Sequence, residues 1–176
     1  MQQMHDLDQR LAVATAGISQ KFILLPIHGQ PAAFRERVYC YELYHQFRKD
    51  WPQDSPFELN GEVDKAGHQH LRLWHGDKCK PDFLIHTPGD MAGNFAIIEV
   101  KPCQPSARAI RKDLATLALF SGDRIRYRRA LYLIYGTRAR QMAHRVQQLR
   151  ADVTGAGAVE IWVHTEALQP AERWNG

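Results

Sequence analysis

The sequence lacks a long apolar run, a secretion signal and a cysteine framework. No apolar stretch approaches the roughly 18 residues that a membrane-spanning helix needs. Residues 1–20 have neither the basic start nor the apolar centre of a secretion signal. The cysteines Cys40, Cys79 and Cys103 are odd in number and widely spaced, which is typical of reduced thiols. These absences predict a soluble cytoplasmic protein with no membrane partner.

The chain also lacks internal repeats, low-complexity tracts and an interdomain linker. Its 176 residues suit a single domain that buries a core without a disulfide or a structural metal. No Gly-rich phosphate loop is present, which leaves a hydrolase of small phosphoesters with little support. We therefore expect residues 1–176 to form one domain.

Basic charge is concentrated in one part of the chain. Residues 101–150 contain twelve Lys or Arg and two Asp, a net charge of +10, whereas residues 51–100 have a net charge of −4. Clustered cations next to clustered carboxylates suit a protein that binds phosphates around a metal site. The charge distribution is also compatible with a solvent-exposed helix face that is rich in Arg and binds no phosphate.

Apolar periodicity and turn residues divide the chain into helices and strands. Helices are predicted over residues 5–18, 32–49, 106–120 and 138–153. Strands are predicted over residues 81–86, 94–101, 129–137 and 158–165, with extended segments over 57–67 and 70–74. This order predicts an α/β fold with a mixed central sheet and helices on both faces.

Two acids and a lysine stand out at the ends of adjacent predicted strands. If the loop between residues 86 and 94 is symmetric, His86 pairs with Phe95 and Asp82 lies opposite Glu99. Side chains alternate along a strand, so Glu99 and Lys101 share a face. Two carboxylates suit Mg²⁺, and a neighbouring lysine can orient the attacking water. The alternative is a Glu-Lys pair that faces solvent at a strand end.

The pair Pro81-Asp82, followed by Glu99-Val100-Lys101 on the next strand, resembles the PD-(D/E)xK (restriction-endonuclease-like) nuclease superfamily. The resemblance implies an αβββαβ core over about residues 32–137, followed here by a C-terminal αβ extension. It also implies hydrolysis of nucleic-acid phosphodiesters with Mg²⁺ or Mn²⁺. Asp82 and Glu99 would hold the metal, and Lys101 would serve the water nucleophile.

Further acids are implied by the same resemblance. Many members of the superfamily add a glutamate from the first core helix, for which Glu42 is favoured over Glu36. Periodicity does not decide between them, because the helix is apolar on more than one side. Glu62, in the segment Gly61-Glu62-Val63-Asp64-Lys65, is interpreted as an auxiliary acid.

The predicted partner is nucleic acid, with DNA favoured over RNA by the resemblance alone. Homodimers are compatible with it, since two sites can cut two strands. Candidate contacts to the nucleic acid are the basic residues Arg108, Arg111, Lys112, Arg124, Arg126 and Arg128. The alternative function is a non-catalytic nucleic-acid-binding or interaction subunit on the same fold.

Two other groups of residues have simpler interpretations. The set His68, His70, His75, Cys79 and His86 matches no standard structural zinc spacing, so we expect exposed or hydrogen-bonded histidines. The tyrosines Tyr39, Tyr41 and Tyr44 are predicted to pack in the core and along the helix edge. A platform on which bases stack is the alternative.

Overall fold

The computed structural model describes residues 2–61 and 80–176. Its helices are α1 (Gln2–Ala16), α2 (Gln20–Ile23), α3 (Glu36–Lys49), α4 (Ala107–Ser121) and α5 (Ala139–Arg150). Its strands are β1 (Leu25–Ile27), β2 (Gln30–Ala33), β3 (Glu58–Gly61), β4 (Phe83–His86), β5 (Asn94–Pro102), β6 (Arg129–Tyr135), β7 (Glu160–His164) and β8 (Glu172–Arg173). In this part of the chain, no helix has the length and apolar character needed to cross a bilayer.

The central feature is a six-stranded mixed sheet in the order β3-β4-β5-β6-β7-β8. Strands β3, β4 and β5 form an antiparallel meander, β5, β6 and β7 are parallel, and β8 is antiparallel to β7. Parallel neighbours need a crossover connection, and α4 and α5 lie in those two connections. The predicted α/β class with a mixed sheet is confirmed.

Each face of the sheet carries its own apolar core. One core joins α1 and α3 to sheet residues that include Ile98 and Val100. The other joins α4 and α5 to sheet residues that include Ile97 and Tyr132. Because side chains alternate along β5, Glu99 and Lys101 project from the sheet on the side of Ile97 and α4.

The structure differs from the sequence-based prediction at short elements. Residues 32 and 33, predicted as the start of a helix, belong instead to β2, which pairs with β1 in a hairpin, so α3 begins only at Glu36. His86 pairs with Asn94 rather than Phe95, because the register shifts by one residue between Ile85 and His86. The edge strand β8 was not predicted. Residues 62–79 lie outside the described residues. They include the end of the predicted extended segment 57–67 and all of the segment 70–74.

A buried ion-pair network joins α1 to the sheet. The Arg129 guanidinium donates to both Glu160 carboxylate oxygens, with Nε–Oε1 and Nη2–Oε2 distances of 2.8 and 2.7 Å. Its Nη2 also lies 2.6 Å from Oδ1 of Asp8 on α1. Burial lowers the pKa of Arg129, but the bonds to Glu160 and Asp8 outweigh it and raise that pKa. Arg129 is therefore a structural residue.

Candidate active site

The register of the β4–β5 hairpin brings the two predicted acids together. Phe83 pairs with Ile98, so continuing the antiparallel ladder by one position places Asp82 opposite Glu99. Oδ2 of Asp82 accepts a hydrogen bond from the Val100 backbone N–H at 2.7 Å. The two carboxyl groups lie close enough for the charge of Asp82 to raise the pKa of Glu99. Both side chains are buried.

Lys101 lies among three carboxylates from three different elements. Its Nζ is 3.0 Å from Oε1 of Glu36 on α3, 3.8 Å from Oδ2 of Asp113 on α4 and 4.0 Å from Oε2 of Glu99. The contact to Glu36 is a hydrogen bond. Three partners in different directions fix the ammonium beside the acid pair.

These residues line one water-accessible cleft with a volume of about 260 Å³. The cleft has four carboxylates and four cations among its described lining residues, which are Glu36, Arg37, Lys80, Asp82, Glu99, Lys101, Lys112, Asp113 and Thr116. A set of this composition can hold a divalent cation at the acids and an anionic group at the surrounding Lys and Arg.

Burial dominates the protonation of the acids. It raises the pKa of Asp82 to about 6, although the charge of Lys101 and the Val100 N–H oppose it. Burial, and then the charges of Asp82 and Asp113, raise the pKa of Glu99 well above its ordinary value. Two buried carboxyl groups close to each other resist ionising together. A bound divalent cation would favour the doubly ionised form.

At Lys101, neighbouring charges outweigh burial in setting the pKa. Burial lowers its pKa, but the charges of Asp113, Asp82, Glu36 and Glu99 together raise the pKa above its ordinary value. The lysine is therefore protonated at neutral pH. It can donate hydrogen bonds and stabilise negative charge, and it has no lone pair with which to accept a proton from water.

The donor set fits a partly hydrated ion. In the described ranges, no group of three or more His, Cys, Asp or Glu side chains is arranged to hold a metal. Mg²⁺ typically uses one or two protein carboxylates and completes its octahedral shell with water and substrate oxygens. Asp82 and Glu99 can supply those two carboxylates.

The helix acid that reaches the cleft is Glu36. Glu42 lies six positions further along α3, which turns it about 120° away around the helix. There its Oε1 accepts a hydrogen bond from Gln46 Nε2 at 2.6 Å. The structure therefore places Glu36, and not the preferred Glu42, at the cleft. The proposed auxiliary acid Glu62 lies outside the described residues.

Asp113 belongs to the cleft although it was not selected from the sequence. It lies on the apolar side of α4, next to Leu114 and one turn after Ile110, and is only 6% exposed. Burial raises its pKa to about 6, against the charges of Lys101 and Lys112. A carboxylate at i+3 within an apolar i, i+4, i+7 stripe is a signal that could have identified it.

The candidate basic contacts divide into three groups. Lys112 lines the cleft, and Arg108 is exposed one helical turn before it on α4. Arg111 instead pairs with Asp152, with an Nη2–Oδ2 distance of 2.9 Å.

The third group is Arg124, Arg126 and Arg128, which precede β6. Lys101 pairs with Ile134 on that strand. Ile134 is six residues after Arg128, a distance of roughly 20 Å along the strand at 3.3 Å per residue. Arg126 donates to the Asp123 carbonyl oxygen at 2.6 Å and Arg128 to that of Ala92 at 3.4 Å. These arginines therefore lie away from the cleft.

The proposed histidine set is largely untested by the structure. His68, His70, His75 and Cys79 lie outside the described residues. His86 has a side-chain partner, since its Nε2 lies 2.9 Å from Oδ1 of Asn60.

We expect Asp82→Asn to raise the free energy of unfolding at pH 8 in EDTA by about 1–2 kcal/mol. Because the Asp82 pKa is raised from 3.8 to about 6, the protonated carboxyl favours the folded state. That stability is fully present below about pH 4 and is lost as the pH rises through about 6. Asparagine keeps an oxygen for the Val100 N–H and never ionises.

Thermal unfolding at pH 4.5 and pH 8 measures this effect. Asp54→Asn is the control, because Asp54 is exposed and its replacement should change stability little at either pH. A gain from Asp82→Asn that is equal at both pH values would contradict the burial of an ionised carboxylate as its cause.

Comparison with known proteins finds no family model, no curated protein and no solved structure that matches the chain. The function therefore has to be argued from the cleft itself.

Proposed function

We propose that this chain is a metal-dependent nuclease of the PD-(D/E)xK class. The observation that carries the proposal is the placement of Asp82 opposite Glu99 with the Lys101 ammonium beside them in one cleft. The element order supports it, because α3, the β3-β4-β5 meander, α4 and β6 follow one another as αβββαβ. Both acids are buried, Asp82 just before β4 and Glu99 within β5, and buried ionised side chains are costly without a binding role.

The residues of the chain divide the chemistry between them. Asp82 and Glu99 would hold Mg²⁺ or Mn²⁺, and the ion would supply Lewis-acid polarisation of the scissile phosphate. Lys101 donates hydrogen bonds to the attacking water and to the negative charge that develops on the phosphate oxygens. Glu36 and Asp113 keep the Lys101 ammonium in place.

The substrate class follows from the charge of the cleft. Arg37, Lys80 and Lys112 surround the acid pair and would bind phosphates on either side of the scissile bond. DNA is preferred to RNA on the resemblance alone. The test is incubation with plasmid, linear and branched DNA and with single-stranded RNA, in Mg²⁺, Mn²⁺ or EDTA. Cleavage in either metal and none in EDTA is expected.

A second candidate is a non-catalytic nucleic-acid-binding subunit. One observation favours it: Lys101 lies closer to Glu36 than to the metal acid Glu99, at 3.0 against 4.0 Å. Such a subunit would bind nucleic acid with an affinity that falls with salt and is indifferent to Mg²⁺. No product from any nucleic acid in either metal, together with such binding, would replace the nuclease proposal with this one.

We expect Glu36→Gln to lower the cleavage rate roughly tenfold. The glutamine amide can still accept a hydrogen bond from Lys101, but it lacks the negative charge that holds the ammonium in place. Glu42→Gln is the matched control on the same helix and should retain nearly the full rate. Initial rates at saturating Mg²⁺ measure both. The reverse order, with Glu42→Gln the more damaging variant, would restore Glu42 as the helix acid.

A further inference from the structure

A second cavity of about 340 Å³ adjoins the acid cleft. Its described lining residues are Cys40, Tyr41, Tyr44, Asn60, Gly61, Asp82 and Phe83. Asp82 lines both spaces, so they meet at one of the proposed metal ligands. The cleft is lined by charged groups, whereas aromatic rings and a thiol form much of this cavity.

The tyrosines of α3 have different environments. Tyr39 is fully buried and stacks on Tyr135 with ring centroids 3.9 Å apart, as its predicted packing role requires. Tyr41 is 64% exposed. Tyr44 is half-buried, and its ring is nearly parallel to that of Phe83 at a centroid distance of 6.5 Å. Tyr41 and Tyr44 therefore present aromatic surface to the cavity.

Helix α3 lines both spaces. Glu36 and Arg37 in its first turn line the cleft, and Cys40, Tyr41 and Tyr44 in the following turns line the cavity. Tyr41 lies roughly 7.5 Å beyond Glu36 along the helix axis at 1.5 Å per residue. Tyr41 is also turned about 140° around the helix from Glu36, so the link between the two spaces is Asp82, which lines both. A nucleotide next to a phosphate in the cleft is therefore within reach of the aromatic cavity.

We propose that this cavity receives an unstacked nucleobase of the strand whose phosphate occupies the cleft. The inference rests on the proposed nuclease function and narrows its substrate to single-stranded or locally unpaired nucleic acid. Aromatic side chains beside a basic groove bind bases of any sequence through their π-faces. A base within an intact duplex has to leave the stack before it can enter such a pocket.

The apolar character of the cavity supports a base as its occupant. The rings of Tyr41, Tyr44 and Phe83 and the buried Cys40 thiol form most of its described lining. Among the described lining residues, the cations that would hold the flanking phosphates belong to the adjoining cleft and none belongs to the cavity. The two spaces thus divide the recognition of a nucleotide into phosphate and base.

The first test compares affinities for a short single-stranded DNA and for the same sequence as a blunt duplex, both in EDTA. Tyr41→Ala is expected to weaken single-strand binding roughly tenfold and to leave duplex binding unchanged. Tyr41→Phe should retain the wild-type affinity, because the ring remains. Leu168→Ala, at another exposed apolar side chain, is the control and should bind as the wild type does.

The second test replaces each base of the single strand in turn by an abasic site. The strand is kept no longer than the site, so that one register is favoured. In the wild type, an abasic site at one position should then weaken binding, and the same abasic site should have little further effect in Tyr41→Ala. Equal losses in both proteins at every position would overturn the proposal. So would a Tyr41→Ala variant that binds normally but melts several degrees lower, since Tyr41 would then serve packing.

The cleavage assay separates this inference from the nuclease proposal. Tyr41-dependent binding of single strands without cleavage in Mg²⁺ or Mn²⁺ would keep the base pocket and remove the nuclease. Cleavage of intact duplex at a rate independent of Tyr41 would keep the nuclease and remove the base pocket.

Discussion

Replacing Lys101 by alanine is expected to lower the rate of Mg²⁺-dependent DNA cleavage by on the order of 10²–10³-fold. A single preorganised donor at the developing charge of a transition state is typically worth that much. Lys101 is held beside the acid pair by Glu36, Asp113 and Glu99. Its loss removes the ammonium and leaves three carboxylates to repel the substrate phosphate.

The measurement is the single-turnover rate at saturating Mg²⁺. Lys101→Met is the companion variant, because it keeps the apolar stem and loses the ammonium with its charge and its hydrogen-bond donors. Lys49→Ala is the control, since Lys49 is exposed on α3 and its ammonium donates a hydrogen bond to Gln46 on the same helix. Thermal unfolding must show that the Lys101 variants remain folded. Cleavage at the full rate by either one would remove Lys101 from the mechanism.

Replacing Arg129 by methionine is expected to lower the free energy of unfolding by about 3–5 kcal/mol. The Arg129 side chain is 4% exposed and that of Glu160 only 9%. The variant therefore leaves a buried carboxylate whose remaining cation is the half-exposed Arg173, with its Nε 3.7 Å from Oε2 of Glu160. The Asp8 contact, which ties α1 to the sheet, is lost as well. Methionine retains much of the side-chain volume, so most of the loss is electrostatic.

Urea unfolding at neutral pH measures this loss. Arg126→Met is the control, because Arg126 is exposed and its side chain bonds to the neighbouring Asp123 carbonyl oxygen. It should change stability by no more than about 0.5 kcal/mol. The double variant Arg129→Met, Glu160→Leu should recover part of the loss, since no charge is then buried alone. A loss no larger than that of Arg126→Met would show that the network contributes little.

Most of the sheet could be predicted because its strands carry strong local signals. Strands β5 and β6 are apolar on both faces and bounded by turn residues, which is typical of buried central strands. The short elements lack such signals. The two residues of β8 form a strand only through their pairing with β7. The β1–β2 hairpin depends on a single turn at Gly29, where φ is 70°.

The acid pair could be predicted because a hairpin is a local structure. Its register at Phe83 and Ile98 follows from the chain between them, and alternation then assigns the face of Glu99 and Lys101. The helix acid depends on how α3 is rotated against the sheet, which is a tertiary property. Glu36 and Glu42 therefore remained indistinguishable in the sequence, and the exposure of Tyr41 could not be separated from the burial of Tyr39.

The bulge between Ile85 and His86 has a mechanical consequence for the acid pair. A length change of one residue in a hairpin turn would normally rotate every side chain beyond it to the opposite face. Here the offset is absorbed next to the turn, and the ladder from Ile85 to Phe83 keeps its pairing. The turn around Gly89 is open to solvent, with nothing within 4 Å of an added Cβ. Evolution or engineering can therefore lengthen this turn, for instance to graft a recognition loop, while the carboxylates stay aligned.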